Sequence, residues 1–197
     1  MKKLNLIVAI TAACSALISG LQAATITYSI VNNAGFQNGY TLSGSITTDG
    51  TIGDVTSGIL DWNWTVTDNA TSEVVRSLSG NGATNSFSVQ ASATQITLEP
   101  FGENSSLELG GGGVVSWYRR AARDFPFAMP ATDAYYFQYN STNYWINQSE
   151  SPLALSSTAD GSWIIADGGV SAVPEPSAFA LLGLSAFGLI VRRRRCA

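Results

Sequence analysis

The chain has 197 residues, 45% apolar and only 12% charged, with no histidine and two cysteines, Cys14 and Cys196, near opposite ends. The length suits one medium β domain or a compact pair, and the charged share is about half of that in ordinary globular proteins. These counts exclude histidine-dependent triads, Cys–His pairs, zinc fingers and an internal disulfide for the central region. Six of the ten basic residues are terminal, and residues 24–173 hold Arg76, Arg119, Arg120 and Arg123 against 13 acidic residues, a net charge of −9. Phosphate binding needs a basic surface, so nucleic acid is not an expected partner.

In chain order, Lys2 and Lys3 precede an apolar run, Leu4 to Ile18, that ends in Leu21-Gln22-Ala23-Ala24. A basic start, a short apolar stretch and small residues after it are the layout of a secretory signal peptide. Residues 1–24 are therefore read as a signal helix cleaved after Ala23 or Ala24.

Residues 25–170 read as an all-β ectodomain, an antiparallel β-sandwich or jelly roll. Strict alternation of apolar and polar positions, the mark of a half-buried strand, runs through Thr25 to Val31 and Tyr40 to Thr47, and no segment shows a helical period. Asp49-Gly50 predicts a tight turn before a third run, Gly58 to Thr67, in which Trp62 and Trp64 share the core-facing side. Further strands are expected at Glu73 to Leu78, Ser86 to Gln90, Gln95 to Glu99, Ser106 to Leu109, Val114 to Arg119, Tyr135 to Tyr139, Tyr144 to Ile146 and Ser162 to Ile165, with a loop over Ala121 to Thr132. About eleven short strands joined by Gly, Asn, Asp and Ser turns fit an antiparallel sandwich.

Chemistry in this region has to come from carboxylates, hydroxyls, amides and rings. A glycosidase needs two carboxylates across a sugar, and nothing in the spacing of Asp61, Glu99, Glu103 and Glu108 pairs any two of them. The loop Asp49 to Asp54 lacks the ligand ladder of a calcium loop, so a plain hairpin is expected there, with no metal. Neither cofactor nor catalytic residue is expected. Gly110 to Gly113 precedes a strand and no Lys-Ser/Thr, which excludes a phosphate loop. Arg119, Arg120 and Arg123 read as a salt-bridging patch rather than an anion site. An aromatic hairpin around Asn140-Ser141-Thr142-Asn143 places rings on both faces, and Tyr136, Tyr139, Tyr144 and Trp145 are the candidate carbohydrate contacts.

The last segment, 171–197, holds Pro174-Glu175-Pro176, an uncharged run from Ser177 to Val191, and Arg192, Arg193, Arg194 and Arg195. The run has 15 residues, shorter than the roughly 20 that span a bilayer comfortably. Arginine snorkelling and local thinning make up part of the difference, so a C-terminal transmembrane helix is expected. By the positive-inside rule the arginines stop transfer and stay cytoplasmic, which leaves the domain outside. The order of these elements resembles the PEP-CTERM sorting signal of exported proteins in Gram-negative bacteria. The stretch Gly39 to Gly53 resembles an opening hairpin of many ectodomains that carry this tail.

The resemblance implies an inner-membrane precursor processed near Pro174 to Pro176 by exosortase, a membrane-embedded cysteine transpeptidase. The product would go to the cell envelope, the outer surface or the medium, in association with exopolysaccharide or another matrix component. The expected role is that of a non-enzymatic surface or biofilm-matrix protein. The alternatives are a carbohydrate-binding or glycoside-cleaving sandwich and a permanently tail-anchored envelope protein.

Overall fold

A computed structural model describes residues 24–83, 85–111, 113–122 and 129–171. Strands occur at β1 Ile26–Ile30, β2 Tyr40–Thr48, β3 Gly53–Asp54, β4 Ile59–Asp68, β5 Val74–Gly80, β6 Asn85–Phe87 and β7 Val89–Ala91. They continue with β8 Gln95–Leu98, β9 Ser105–Gly110, β10 Gly113–Arg120, β11 Thr132–Tyr139, β12 Thr142–Ser149 and β13 Trp163–Ser171. The first sheet has the order β3-β7-β8-β13-β1-β2-β4-β5 and the second β12-β11-β10-β9-β6. Every pairing is antiparallel, and the expected all-β sandwich fits. The signal helix, Ala23, the loop residues 123–128, the Pro174-Glu175-Pro176 motif, the transmembrane helix and Arg192 to Arg195 lie outside the described residues.

Alternation does what the sequence expects of it. Ile26, Tyr28 and Ile30 are buried on β1 while Thr27 and Ser29 face out. On β4, Trp62, Trp64 and Val66 line one face, and Trp64 is fully buried. Gly44 of β2 has φ 151°, and a Cβ there would stand 2.1 Å from the Asn63 carbonyl of β4. Only glycine permits this close approach of the two strands.

Two expected elements are different. The Asp49 turn is no simple hairpin, because residues 49–58 carry β3, which pairs with β7 at the far edge of the first sheet. In a flat sheet β3 and β2 would be five spacings apart, roughly 24 Å at about 4.8 Å each. The five residues from Thr48 to Gly53 reach at most about 18 Å, so the sheet must curl until its edge approaches β2. The single strand expected over Ser86 to Gln90 is broken at Ser88, whose φ is 52°. That residue turns the chain from β6 in the second sheet to β7 in the first. The last strand is also longer than expected, reaching Ser171 through Gly168 and Gly169, because β1 pairs along it as far as Ile26.

Aromatic rings join the two sheets. Trp64 donates its indole N–H to the Leu109 carbonyl across the sandwich at 3.0 Å and meets Phe137 edge-on at 5.4 Å. Phe137 contacts Trp145 and Tyr144 at 5.0 and 5.1 Å, Trp145 contacts Tyr135 at 5.9 Å, and Tyr135 stacks on Trp117 at 5.7 Å. Each such pair adds about 0.5–1.5 kcal/mol beyond the area it buries. The Tyr135 hydroxyl is fully inside and lies 2.6 Å from the buried Gln37 amide. In the amide orientation that satisfies both of its atoms, Gln37 Oε1 accepts from Tyr135 and Nε2 donates to the Tyr40 carbonyl at 3.0 Å.

Arg119 forms a salt bridge, and it does so inside the protein. It is 2% exposed and forms a bidentate pair with Asp133, Nε to Oδ1 at 2.9 Å and Nη2 to Oδ2 at 3.0 Å. Its Nη1 donates to the Glu99 and Gly161 carbonyls at 2.7 and 2.8 Å, and the guanidinium lies 4.2 Å from the Trp163 ring centre. Asp133 Oδ2 also accepts from the Leu153 N–H at 3.0 Å.

Two outcomes follow from this core. Asp133→Ala leaves a buried guanidinium without its carboxylate and is expected to lose about 3–5 kcal/mol of stability in urea titrations, whereas the pair replacement Arg119→Met with Asp133→Leu recovers most of that loss. Burial pushes the Tyr135 hydroxyl above its ordinary pKa of 10.0. Its stabilising effect is therefore complete below pH 10.0 and lost as pH rises towards the folded-state value. Tyr135→Phe should be less stable at pH 7 by about 1–3 kcal/mol, because Gln37 loses its donor. The variant should also show a shallower loss of stability above pH 10.0 than the parent chain, measured by chemical denaturation across the alkaline range.

Candidate functional site

Strands β9, β10, β11 and β12 form a meander, so the β9–β10 and β11–β12 turns emerge at the same end of the second sheet. The second turn is Asn140-Ser141, with φ 47° and 60°, a conformation of the kind that matches the twist of a two-residue hairpin and favours Asn-Gly. The glycine-rich first turn and this one frame an open pocket of about 320 Å³, walled by Glu108, Val114, Gln138, Tyr139, Asn140 and Ser141, with Gly110, Gly111 and Gly113 alongside. The sequence marks both turns and flags Glu108, but their convergence depends on strand order.

The four aromatic candidates do not form one platform. Tyr136 faces outward from the second sheet and is half-buried. Tyr139 lies at the sheet end, half-buried on the pocket wall, with the Arg76 guanidinium 4.6 Å from its ring centre. A bulge between Phe137 and Gln138 and the facing strand makes Tyr144 an extra residue in β12. Tyr144 and Trp145 consequently both turn inward, where they meet Tyr40 at 5.6 and 6.0 Å as well as Phe137. Trp145 is 1% exposed and presents no ring face to solvent.

Ile26 of β1 pairs with Ser171 of β13, so the ladder joins the first and the last strand of the described residues. Residues 172–195 match the PEP-CTERM protein-sorting motif. This motif implies an exported protein destined for the cell envelope or surface and processing by exosortase. The PEP-CTERM motif thus begins one residue beyond β13. No curated protein and no solved structure matches the chain.

Of the four carboxylates that the sequence offers, Glu108 is on the wall of the pocket framed by the two turns. Asp61 accepts from the Trp62 N–H on exposed β4 backbone. A second pocket of about 380 Å³ lies beside Arg119, Leu153 and Trp163 and includes Asp160, whose Oδ1 accepts from the Thr158 hydroxyl and the Ser162 N–H. In the loop before β4, Asp49 Oδ1 accepts from the Thr51 N–H at 2.9 Å and Asp54 Oδ1 from the Thr56 N–H at 2.8 Å. Both aspartates therefore organise turns, and among the described residues no three His, Cys, Asp or Glu side chains converge as a metal site.

Hydrogen bonds from Thr56 hold the Asp54 carboxyl below the usual aspartate range, and those from Thr158 and then Ser162 do the same for Asp160. A depressed carboxyl stabilises the fold above the unfolded-state pKa of 3.8 and loses that effect as pH falls through the lower folded value. The double variant Asp54→Asn, Asp160→Asn should flatten the acid limb of a stability-against-pH curve below pH 3.8 and leave the alkaline limb unchanged.

Proposed function

We propose that this chain is a non-enzymatic surface or matrix component of a Gram-negative bacterium, exported through its N-terminal signal and released or attached by exosortase near Pro174 to Pro176. The observation that carries the reading is the PEP-CTERM motif at residues 172–195, placed directly behind the last strand of a β-sandwich. In this reading the signal peptide ends at Ala23 or Ala24, and residues 177–191 with Arg192 to Arg195 hold the precursor in the inner membrane until it is cut.

The non-enzymatic part is supported by the placement of the acidic groups. Glu108 is separated from Asp61 by the sandwich itself, since one lies on β9 of the second sheet and the other on β4 of the first. Glycoside cleavage by paired carboxylates requires two of them facing one sugar. A matrix role asks instead for a stable, hydrated, acidic body, which the net charge of −9 over residues 24–173 supplies.

Intact-mass spectrometry of protein recovered from the native cell surface and medium tests the proposal. The expected mass corresponds to a chain trimmed near Ala23 or Ala24 and near Pro174 to Pro176, with any added mass identifying the attachment partner. Glu175→Ala is expected to accumulate in the membrane fraction with Arg192 to Ala197 still present. Retention of those residues in the parent protein would make the tail a permanent anchor and reject exosortase processing.

A further inference from the structure

We infer that the outer face of the second sheet, from the pocket at the β9–β10 and β11–β12 turns to Tyr136, binds a neutral, hydroxyl-rich polysaccharide segment. The inference rests on the extracellular placement proposed above and adds a ligand class to it.

Strand register assembles the surface. Glu108 and Tyr136 stand on either side of Ser116 of β10, which is itself buried, and the neighbouring row on the same face is Gly110, Val114 and Gln138. Tyr118 is the diagonal neighbour of Tyr136, about 7 Å away on the same face, and it is 36% exposed. Among the described residues, neither the Glu108 carboxylate nor the Tyr118 and Tyr136 hydroxyls have a hydrogen-bond partner. Gln138 donates its amide N–H to Asn143 at 2.8 Å, which leaves its carbonyl oxygen available as an acceptor. Asn140 and Ser141 are exposed on the pocket rim.

These groups suit a sugar better than an ion or an apolar ligand. A carboxylate accepts two hydroxyl donors at once, amides both donate and accept, and a tyrosine offers an apolar face with a polar tip. No basic side chain lines the pocket, so an anionic polymer would meet Glu108 without a counter-charge. Gly111 leaves room for a chain to lie close to the backbone, because a Cβ there would meet nothing within 4 Å. Arg76, stacked on Tyr139, fixes the ring that forms the pocket's inner wall. Ser141 holds a positive φ of 60° where glycine would be less strained, and it brings a hydroxyl to the rim.

The test uses protein recovered from its native cells, with its processed state fixed by intact mass, run in native gels containing hydroxyethylcellulose, galactomannan or alginate. The parent chain is expected to be retarded in at least one neutral gel and not in alginate alone. Glu108→Gln and Tyr136→Ala should each weaken retardation about tenfold, the loss expected when a hydrogen bond to a charged group or a ring contact is removed, with melting temperature unchanged. Ser141→Gly should weaken binding while keeping or raising stability, an outcome that a purely structural role for the turn cannot produce. No retardation in either neutral gel, retardation confined to alginate, or variants that migrate like the parent would overturn the site. Because precursor and processed chains share this face, an unprocessed protein that still binds counts against the sorting reading and leaves the site standing.

Discussion

The architecture depends on one buried cation. Arg119 has surrendered its hydration and recovers it from Asp133 on the adjacent strand, from the carbonyls of Glu99 and Gly161, and from the face of Trp163. Glu99 follows the end of β8 and Gly161 precedes β13, both strands of the first sheet, whereas Arg119 and Asp133 belong to the second. A guanidinium can be buried at acceptable energetic cost only when its donors are met, so those segments are held in one arrangement. Asp133 extends the constraint to Leu153, which brings the connection between β12 and β13 under the same control.

What could be read from the sequence was whatever local chemistry determines. Alternation located most strands, and the Trp62/Trp64 face was placed on the core side, because the two-residue period of a strand is independent of its partners. What could not be read was set by pairing over long distances. The two residues of β3 carry no periodic signal, and their strand character comes from β7. Ser86 to Gln90 looks continuous in sequence, and only the demands of two different sheets explain the break at Ser88. Arg119 stands beside Arg120 in a row that reads as a salt-bridging patch, while its burial follows from partners 14 and 42 residues away.

The site divides in the same manner. The sorting motif is a run of consecutive residues, so it is evident from one end of the chain. The pocket is a meeting of two turns, and one inserted residue in β12 was enough to send Tyr144 and Trp145 into the core while Tyr136 stayed outside. A bulge of this sort has no compositional mark. Glu108, Gln138 and Asn140 become neighbours only through the order of four strands.

The pairing of Ile26 with Ser171 has a mechanical meaning. Strand β13 pairs with β8 over its first half, Trp163 to Asp167, and with β1 from Ala166 to Ser171, and the sorting motif follows it in sequence. A load along the strand axis would shear the bonds to both neighbours together and not open them one at a time. An edge strand in the same position would peel. Within the described domain, a load along β13 is therefore met by ladder bonds acting in parallel.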